Sequence, residues 1–384
     1  MTKSNRILHI IYPIPKIAND AYSVSFPLTR KLLIKAGFKV ITYQTIGSKK
    51  CFIDDLLKII PILLNIDILY ISIDGQTSLD KFTILKIFKP KLKIIWEIHG
   101  PAEEYYWFDT SNYAKRLVLL RDIKRKFLAK FVSASFCLTY SLKYYAYNAL
   151  KIKNNYVLPS YIDKRFFYDQ IATSNLSNFS KTTLKLKGKF IVFWGGSANL
   201  KWHALDLIEK VAENIYKLDK NIVFIVVGSN SWHQFTFKKN IQFYESMPYG
   251  LFLKFAKQAD IFLTLFHPSS QKITGLKYYF SHRKIVEFMA LGKPVIATHT
   301  DMEEQIIQNN INGYLVNNNP DIIAKLILTL KSKPTYIKQI GNKAKLTINH
   351  RYTLDYNAKI FSNALNNIRE KQEDEYFSLK EEKN

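Results

Sequence analysis

Cysteine is almost missing from this chain. Cys51 and Cys137 are the only two, too few for a disulfide framework or a thiolate metal cluster, and they read as core thiols in a reducing compartment. Glycine and proline are sparse, 13 and 12 in 384 residues, which argues against collagenous, linker-rich or many-turned all-β designs. No apolar run is long enough to span a bilayer. The most hydrophobic window, Leu56–Ile73, is broken by Lys58, Pro61, Asn65 and Asp67, and reads as a helix followed by a buried strand. The opening apolar stretch Ile7–Ile11 runs into Pro13 and Pro15, too short for the core of a secretion signal. We therefore expect a cytoplasmic chain, soluble or peripheral at the inner face of the cell membrane. Asp-x-Asp and clustered His/Asp spacings are lacking too, so the sequence offers no local set of metal ligands.

Acidic residues are also scarce, 31 against 56 Lys and Arg, for a net charge of +25. The excess is spread over both halves and is not a basic tail. A field of this sign favours anionic partners such as phosphates or an anionic membrane. Nucleic acid has no recognition motif behind it here. Apolar residues make up 47%, with 24 Tyr and 26 Phe, so the chain has ample surface to bury and enough length for two domains.

The first 160 or so residues alternate apolar runs with helical patterns, at Ile7–Ile11, Val40–Tyr43, Ile68–Ile73, Ile94–Ile98, Ser135–Thr139 and Tyr156–Leu158. A second series begins at Phe190 and continues through Ile222–Val227, Ile261–Leu265, Val295–Ala297 and Tyr314–Val316. Apolar strands separated by helices imply parallel sheets covered on both faces. The expected organisation is a Rossmann-like domain over 1–165, a linker over 166–188 and a second Rossmann-like domain over 189–350. A helix over 351–368 then packs back on the first domain, and a charged tail fills 369–384.

The clearest local signal is Ser281–Ala297, a helix that opens near Ser281, ends at Gly292 and feeds a strand. A helix N-terminus suits a phosphate, and Lys284 sits on its first turn. Glu287 lies three residues on, where a carboxylate accepts hydrogen bonds from ribose hydroxyls. The alternative is an i,i+4 pair with Arg283 on a solvated face.

Lys284–Ala297, with Asp301–Ile306 and Asn312–Val316, resembles the donor-site signature of retaining glycosyltransferases of family 4, which have the GT-B fold. Trp96–Gly100 resembles the family's strand-end histidine motif, and Ser133–Asn148 with Leu158–Asp163 its run into the interdomain linker. Phe193–Ser197 through Lys201–Ile208 resembles the first strand, phosphate loop and helix of the donor domain. The resemblance implies an α/β chain of two doubly wound domains facing an interdomain cleft. It implies a nucleotide diphosphate-sugar donor and a glycan or lipid-linked saccharide acceptor, with no metal and no cofactor.

It also implies roles. Glu287 holds the ribose, His99 lies near the donor sugar, and Gly195, Gly196 and Ser197 form the phosphate loop. Departures are equally specific. Tyr279 stands where many members have a second glutamate, although a lead-in like Ser281–Lys284 is common in the family. The usual Arg/Lys pair of the phosphate loop is absent, with His203 in the lysine's place. Lys201, Lys284 and Arg283 are the candidate substitutes. Read without the family, His99 is as well explained as a structural residue at a strand end. Glu103 and Glu104 follow it, either as acceptor-side groups or as ordinary loop charges. Asn112–Phe131 reads as a basic amphipathic helix in which Leu117, Leu120, Ile123, Phe127 and Phe131 are spaced at three and four residues. Its apolar stripe belongs either on the sheet, with the cations in water, or on a membrane, with Arg121, Lys124 and Arg125 at the lipid. A catalytically weak scaffolding subunit of a glycan-assembly complex is the second functional reading.

Overall fold

The apolar runs form two parallel sheets in the computed structural model, which describes residues 6–11, 21–46, 52–74, 78–107, 111–175, 186–198, 202–228, 235–267, 279, 283–300 and 302–366. Contacts divide the chain into two units. One comprises Met1–Pro159, Gln271–Ser281 and Leu354–Asn384, the other Ser160–Ser270 and His282–Thr353.

The first unit holds β1 (Arg6–Ile11), α1 (Ala21–Lys35), β2 (Lys39–Gln44), α2 (Phe52–Leu63) and β3 (Ile68–Ile73). A 3-10 segment (Leu79–Ile87), β4 (Lys93–Ile98), a second 3-10 segment (Ala102–Trp107) and α3 (Asn112–Ala129) follow. β5 (Ala134–Cys137), α4 (Tyr140–Asn148) and β6 (Asn155–Val157) complete the alternating series. The strands order as β2-β1-β3-β4-β5-β6, all parallel. β3 is buried along its whole length, which is why it reads as a continuous apolar run with no alternation.

The helix over residues 354–366 belongs to this unit. Its Phe361 is fully buried, stacks on Phe136 at 4.5 Å and meets Phe38 edge-on at 5.9 Å. Ser362 donates to the carbonyl of Ala36, and Lys35 pairs with Asp355.

The second unit opens with α5 (Lys164–Thr173), then β7 (Phe190–Gly195), α6 (Leu205–Leu218), β8 (Ile222–Val227) and β9 (Ile241–Tyr244). It continues with α7 (Tyr249–Ala256), β10 (Ile261–Thr264), α8 (Arg283–Ala290), β11 (Val295–Thr298), β12 (Tyr314–Val316), α9 (Pro320–Lys331) and α10 (Pro334–Arg351). The order is β12-β11-β10-β7-β8-β9, again all parallel. Strand order reverses between β7 and β10, so the carboxyl ends of those two strands are where a doubly wound sheet takes its ligand. Phe193 anchors one face of this sheet, with edge contacts to Phe252, Phe255, Phe262 and Phe288 at 5.7–5.9 Å.

Two elements depart from the sequence reading. The polar stretch after Pro159 carries a helix, α5, because Asp163 caps it by accepting from the Phe166 N–H and Phe167 and Ile171 are buried. β9 has only four residues, half-buried at the sheet edge, too short to stand out as a run.

Candidate functional site

β7 ends in Gly195, and the chain then turns through Gly196 and Ser197 over the switch point. Here α8 delivers Lys284. Its Nζ lies 4.9 Å from the centre of the Trp194 ring and 5.3 Å from that of Phe266. It also reaches His203 Nε2 at 3.0 Å. His203 Nδ1 lies 2.8 Å from the Ser197 carbonyl. A carbonyl only accepts, so Nδ1 carries the proton and Nε2 accepts from Lys284. Gly196 leaves the room this needs, since a Cβ there would sit 2.8 Å from Lys284 Nζ.

His203 thus holds a lysine that arrives from another element, 81 residues along the chain. Burial among these rings works against the ammonium, Glu287 partly offsets it, and the Lys284 pKa is pushed down to about 7.

Three residues on, Glu287 is buried. Its Oε1 accepts from Arg283 Nε at 2.6 Å and from the Tyr249 hydroxyl at 2.7 Å. The i,i+4 pair with Arg283 is therefore real, but it is internal and not on a solvated face. Among the described residues no hydrogen bond falls on Oε2. Burial and the neighbouring carboxylate raise the Tyr249 pKa well above the ordinary phenol value. Tyr249 has no local sequence signal. It opens α7, stacks on Phe166 at 6.2 Å and meets Glu287 only through the fold. Gly292, at φ +77°, ends the turn after α8 in the left-handed conformation that suits glycine.

In the first unit, His99 follows the last residue of β4 and stands 3.2 Å from Glu97 Oε2, which also accepts from Ser72 Oγ at 2.7 Å. Burial opposes the charged imidazole, but the Glu97 carboxylate, with Asp74 and Glu104, outweighs it and raises the His99 pKa. Glu97, spaced two residues from His99 on the same strand face, is the partner that the motif concealed. Tyr279 also lies in this unit, fully buried, its carbonyl accepting from Thr139 Oγ1 at 3.2 Å. Glu103 and Glu104 are buried in the second 3-10 segment and are not solvated loop charges.

Arg125 points inward and donates to the carbonyls of Gly100 (3.0 Å) and Asp74 (2.5 Å), so it cannot contact lipid. Lys124 donates to buried Asp80 at 2.9 Å, and Arg121 lies 4.9 Å from the Tyr105 ring centre. Lys201 and Ser281 lie outside the described residues. Among the described residues no group of three His, Cys, Asp or Glu side chains is placed to hold a metal ion.

Residues 177–347 match the model of the family Glycosyl transferases group 1. No curated protein sequence matches. Among solved structures, sucrose-phosphate synthase from Thermosynechococcus elongatus superposes with a TM-score of 0.70 at 12% identity, over 95% of this chain and 99% of that one. HepE of Anabaena, in complex with UDP and glucose, gives 0.67 at 13% identity, over 94% and 100%. The trehalose-6-phosphate protein of E. coli, bound with UDP-2-fluoro glucose, gives 0.66 at 10%, over 94% and 99%. The chain thus has the GT-B fold of two α/β units, and residues 177–347 are similar to the Glycosyl transferases group 1 family.

Proposed function

We propose that the chain is a retaining, metal-independent glycosyltransferase of family 4. It moves a sugar from a nucleotide diphosphate-sugar to a hydroxyl of a glycan or lipid-linked saccharide on the cytoplasmic side of the membrane. The observation that carries this reading is the Lys284–His203–Ser197 chain at the carboxyl end of β7, with Glu287 buried one turn along the same helix.

Lys284 and the Gly195–Ser197 loop take the diphosphate, and Glu287 Oε2 takes a ribose hydroxyl. The bond from the anomeric carbon to the diphosphate oxygen breaks as the acceptor oxygen bonds to the same face of that carbon. The acceptor's hydroxyl proton passes to the departing phosphate oxygen. The charge that develops on that oxygen is what a preorganised cation stabilises. The Glu97 carboxylate, 3.2 Å away, raises the His99 pKa and favours its cationic form, and His99 serves the sugar.

The experiment is thermal stabilisation of the purified chain by UDP, GDP and their sugar conjugates, with a chelator present. A ligand that binds only the folded state raises its stability with the logarithm of concentration over affinity. A shift with one base, reduced in Glu287→Gln, supports the donor site. The glutamine variant is preferred to alanine because it still offers Arg283 and Tyr249 an acceptor. No shift with any of these compounds would refute the assignment and favour the scaffolding reading.

A further inference from the structure

The basic amphipathic helix read from the sequence is α3, and of the two orientations open to its apolar stripe the structure has the outward one. Its inward face is Ala114, Val118, Asp122, Arg125, Leu128 and Ala129. The apolar stripe points out, with Leu120, Ile123, Phe127 and Phe131 exposed by 64, 56, 57 and 41%. A surface helix ordinarily buries its apolar stripe and solvates its charges. Here the one acid of the helix, Asp122, is buried, while Lys115, Arg116, Lys126 and Lys130 are exposed. The outer face is therefore apolar and cationic at once.

The stripe does not stand alone. Right-handed crossovers in a sheet ordered β2-β1-β3-β4-β5-β6 put α2, the Leu79–Ile87 segment, α3 and α4 on one face. The segment beside α3 exposes Ile87 and Phe88 by 71 and 56%. On α4, Tyr140, Tyr144 and Tyr147 recur at helical spacing and are exposed by 60, 67 and 56%.

We propose that this face of the first unit docks on an anionic lipid surface, with Leu120, Ile123 and Phe127 entering the headgroup–acyl boundary and Arg116 and Lys130 meeting lipid phosphates. Large apolar side chains interleaved with Lys and Arg are what an interfacial helix needs. Tyrosine, with an apolar ring and a polar tip, suits the same depth. A second copy fits less well, because an isologous pairing would set these cations against themselves. A nucleic acid would satisfy the cations but leave the leucine and phenylalanine side chains without a partner. The inference rests on the orientation of α3 and is independent of the donor site.

The test is co-sedimentation of the full chain with vesicles of phosphatidylcholine alone or with about 30 mol% phosphatidylglycerol. Binding to the anionic vesicles is expected, roughly tenfold or more stronger than to neutral ones. The outward pair Leu120→Ser/Phe127→Ser should weaken it at least ~tenfold, as expected when buried apolar area is lost. Arg116→Glu/Lys130→Glu should abolish the preference for anionic lipid. Melting temperature and the nucleotide-induced shift should be unchanged in both variants, which separates this surface from the donor site. Absence of vesicle binding, or binding indifferent to both pairs, would overturn the proposal. So would a dimer in sedimentation velocity that the Leu120→Ser/Phe127→Ser pair dissolves, since the face would then belong to a second copy.

Discussion

Lys284 offers a sharp quantitative expectation, because its charge state is coupled to the ligand. Desolvation by Trp194, Phe266 and the β7 turn holds its pKa at about 7. A diphosphate beside Nζ restores the charged form and carries the pKa back toward the ordinary lysine value. Above about pH 7, binding must then be accompanied by uptake of close to one proton. The apparent dissociation constant should rise roughly tenfold for each pH unit above ~7.5, at about 1.4 kcal/mol per unit. A nucleotide diphosphate-sugar is the ligand to use, because its diphosphate carries no proton that titrates in this window. Calorimetry in buffers of different ionisation enthalpy counts the proton directly. Lys284→Arg keeps a permanent charge, so its profile should be flat. Lys284→Met should be pH-independent and weaker by roughly 10- to 100-fold near pH 7, the worth of a hydrogen bond to a charged group. A wild-type affinity that is constant from about pH 7 to about pH 9 would refute the desolvation argument. Equal affinity in Lys284→Met would remove the lysine from the site altogether.

Three further expectations follow. Gly196→Ala places a Cβ 2.8 Å from Lys284 Nζ and 3.4 Å from His203 Cε1. The clash is with the end of a flexible side chain, but a φ of +157° disfavours any side chain there. Stability should therefore fall by about 1 kcal/mol, while nucleotide affinity falls about tenfold or more, as titration by tryptophan fluorescence will show. Phe361→Ala removes the ring that Phe136, Phe38 and Tyr70 pack around. It should cost about 3–5 kcal/mol in urea unfolding, borne by the first unit though the residue lies near the chain's end. His9 is fully buried with no hydrogen-bond partner for either ring nitrogen among the described residues, and burial lowers its pKa to about 4. The unfolded chain binds a proton there from about pH 6.5 downward and the folded chain does not, so about 3 kcal/mol of stability should drain away as pH falls to ~4. His9→Phe should flatten that slope in pH-dependent melting. His99, with its pKa raised, titrates above the window.

What was legible in the sequence was what local chemistry encodes. β3, β8 and β12 are buried runs bounded by polar or turn residues, and their limits were readable to the residue. Gly292 marked the end of the α8 turn, and the spacing of Lys284 and Glu287 placed both near one helix start. What was hidden comes from long-range contact. His203 and Lys284 are 81 residues apart and Tyr249 and Glu287 are 38, so no window on the chain contains either pair. The helix α3 was hidden for a subtler reason. Periodicity shows that a helix has two faces, but not which one meets the sheet. The apolar stripe could have faced either the sheet or the outside; the carbonyls of Gly100 and Asp74 required a donor, and Arg125 supplies it. Asp80, buried beneath, accepts from Lys124 and lies 3.7 Å from Arg125 Nε. A buried carboxylate and two buried carbonyls cost more unpaired than a row of leucine and phenylalanine side chains costs exposed. Polar demand from the sheet's carboxyl end thus fixed the helix's rotation, and the apolar stripe was left on the outside.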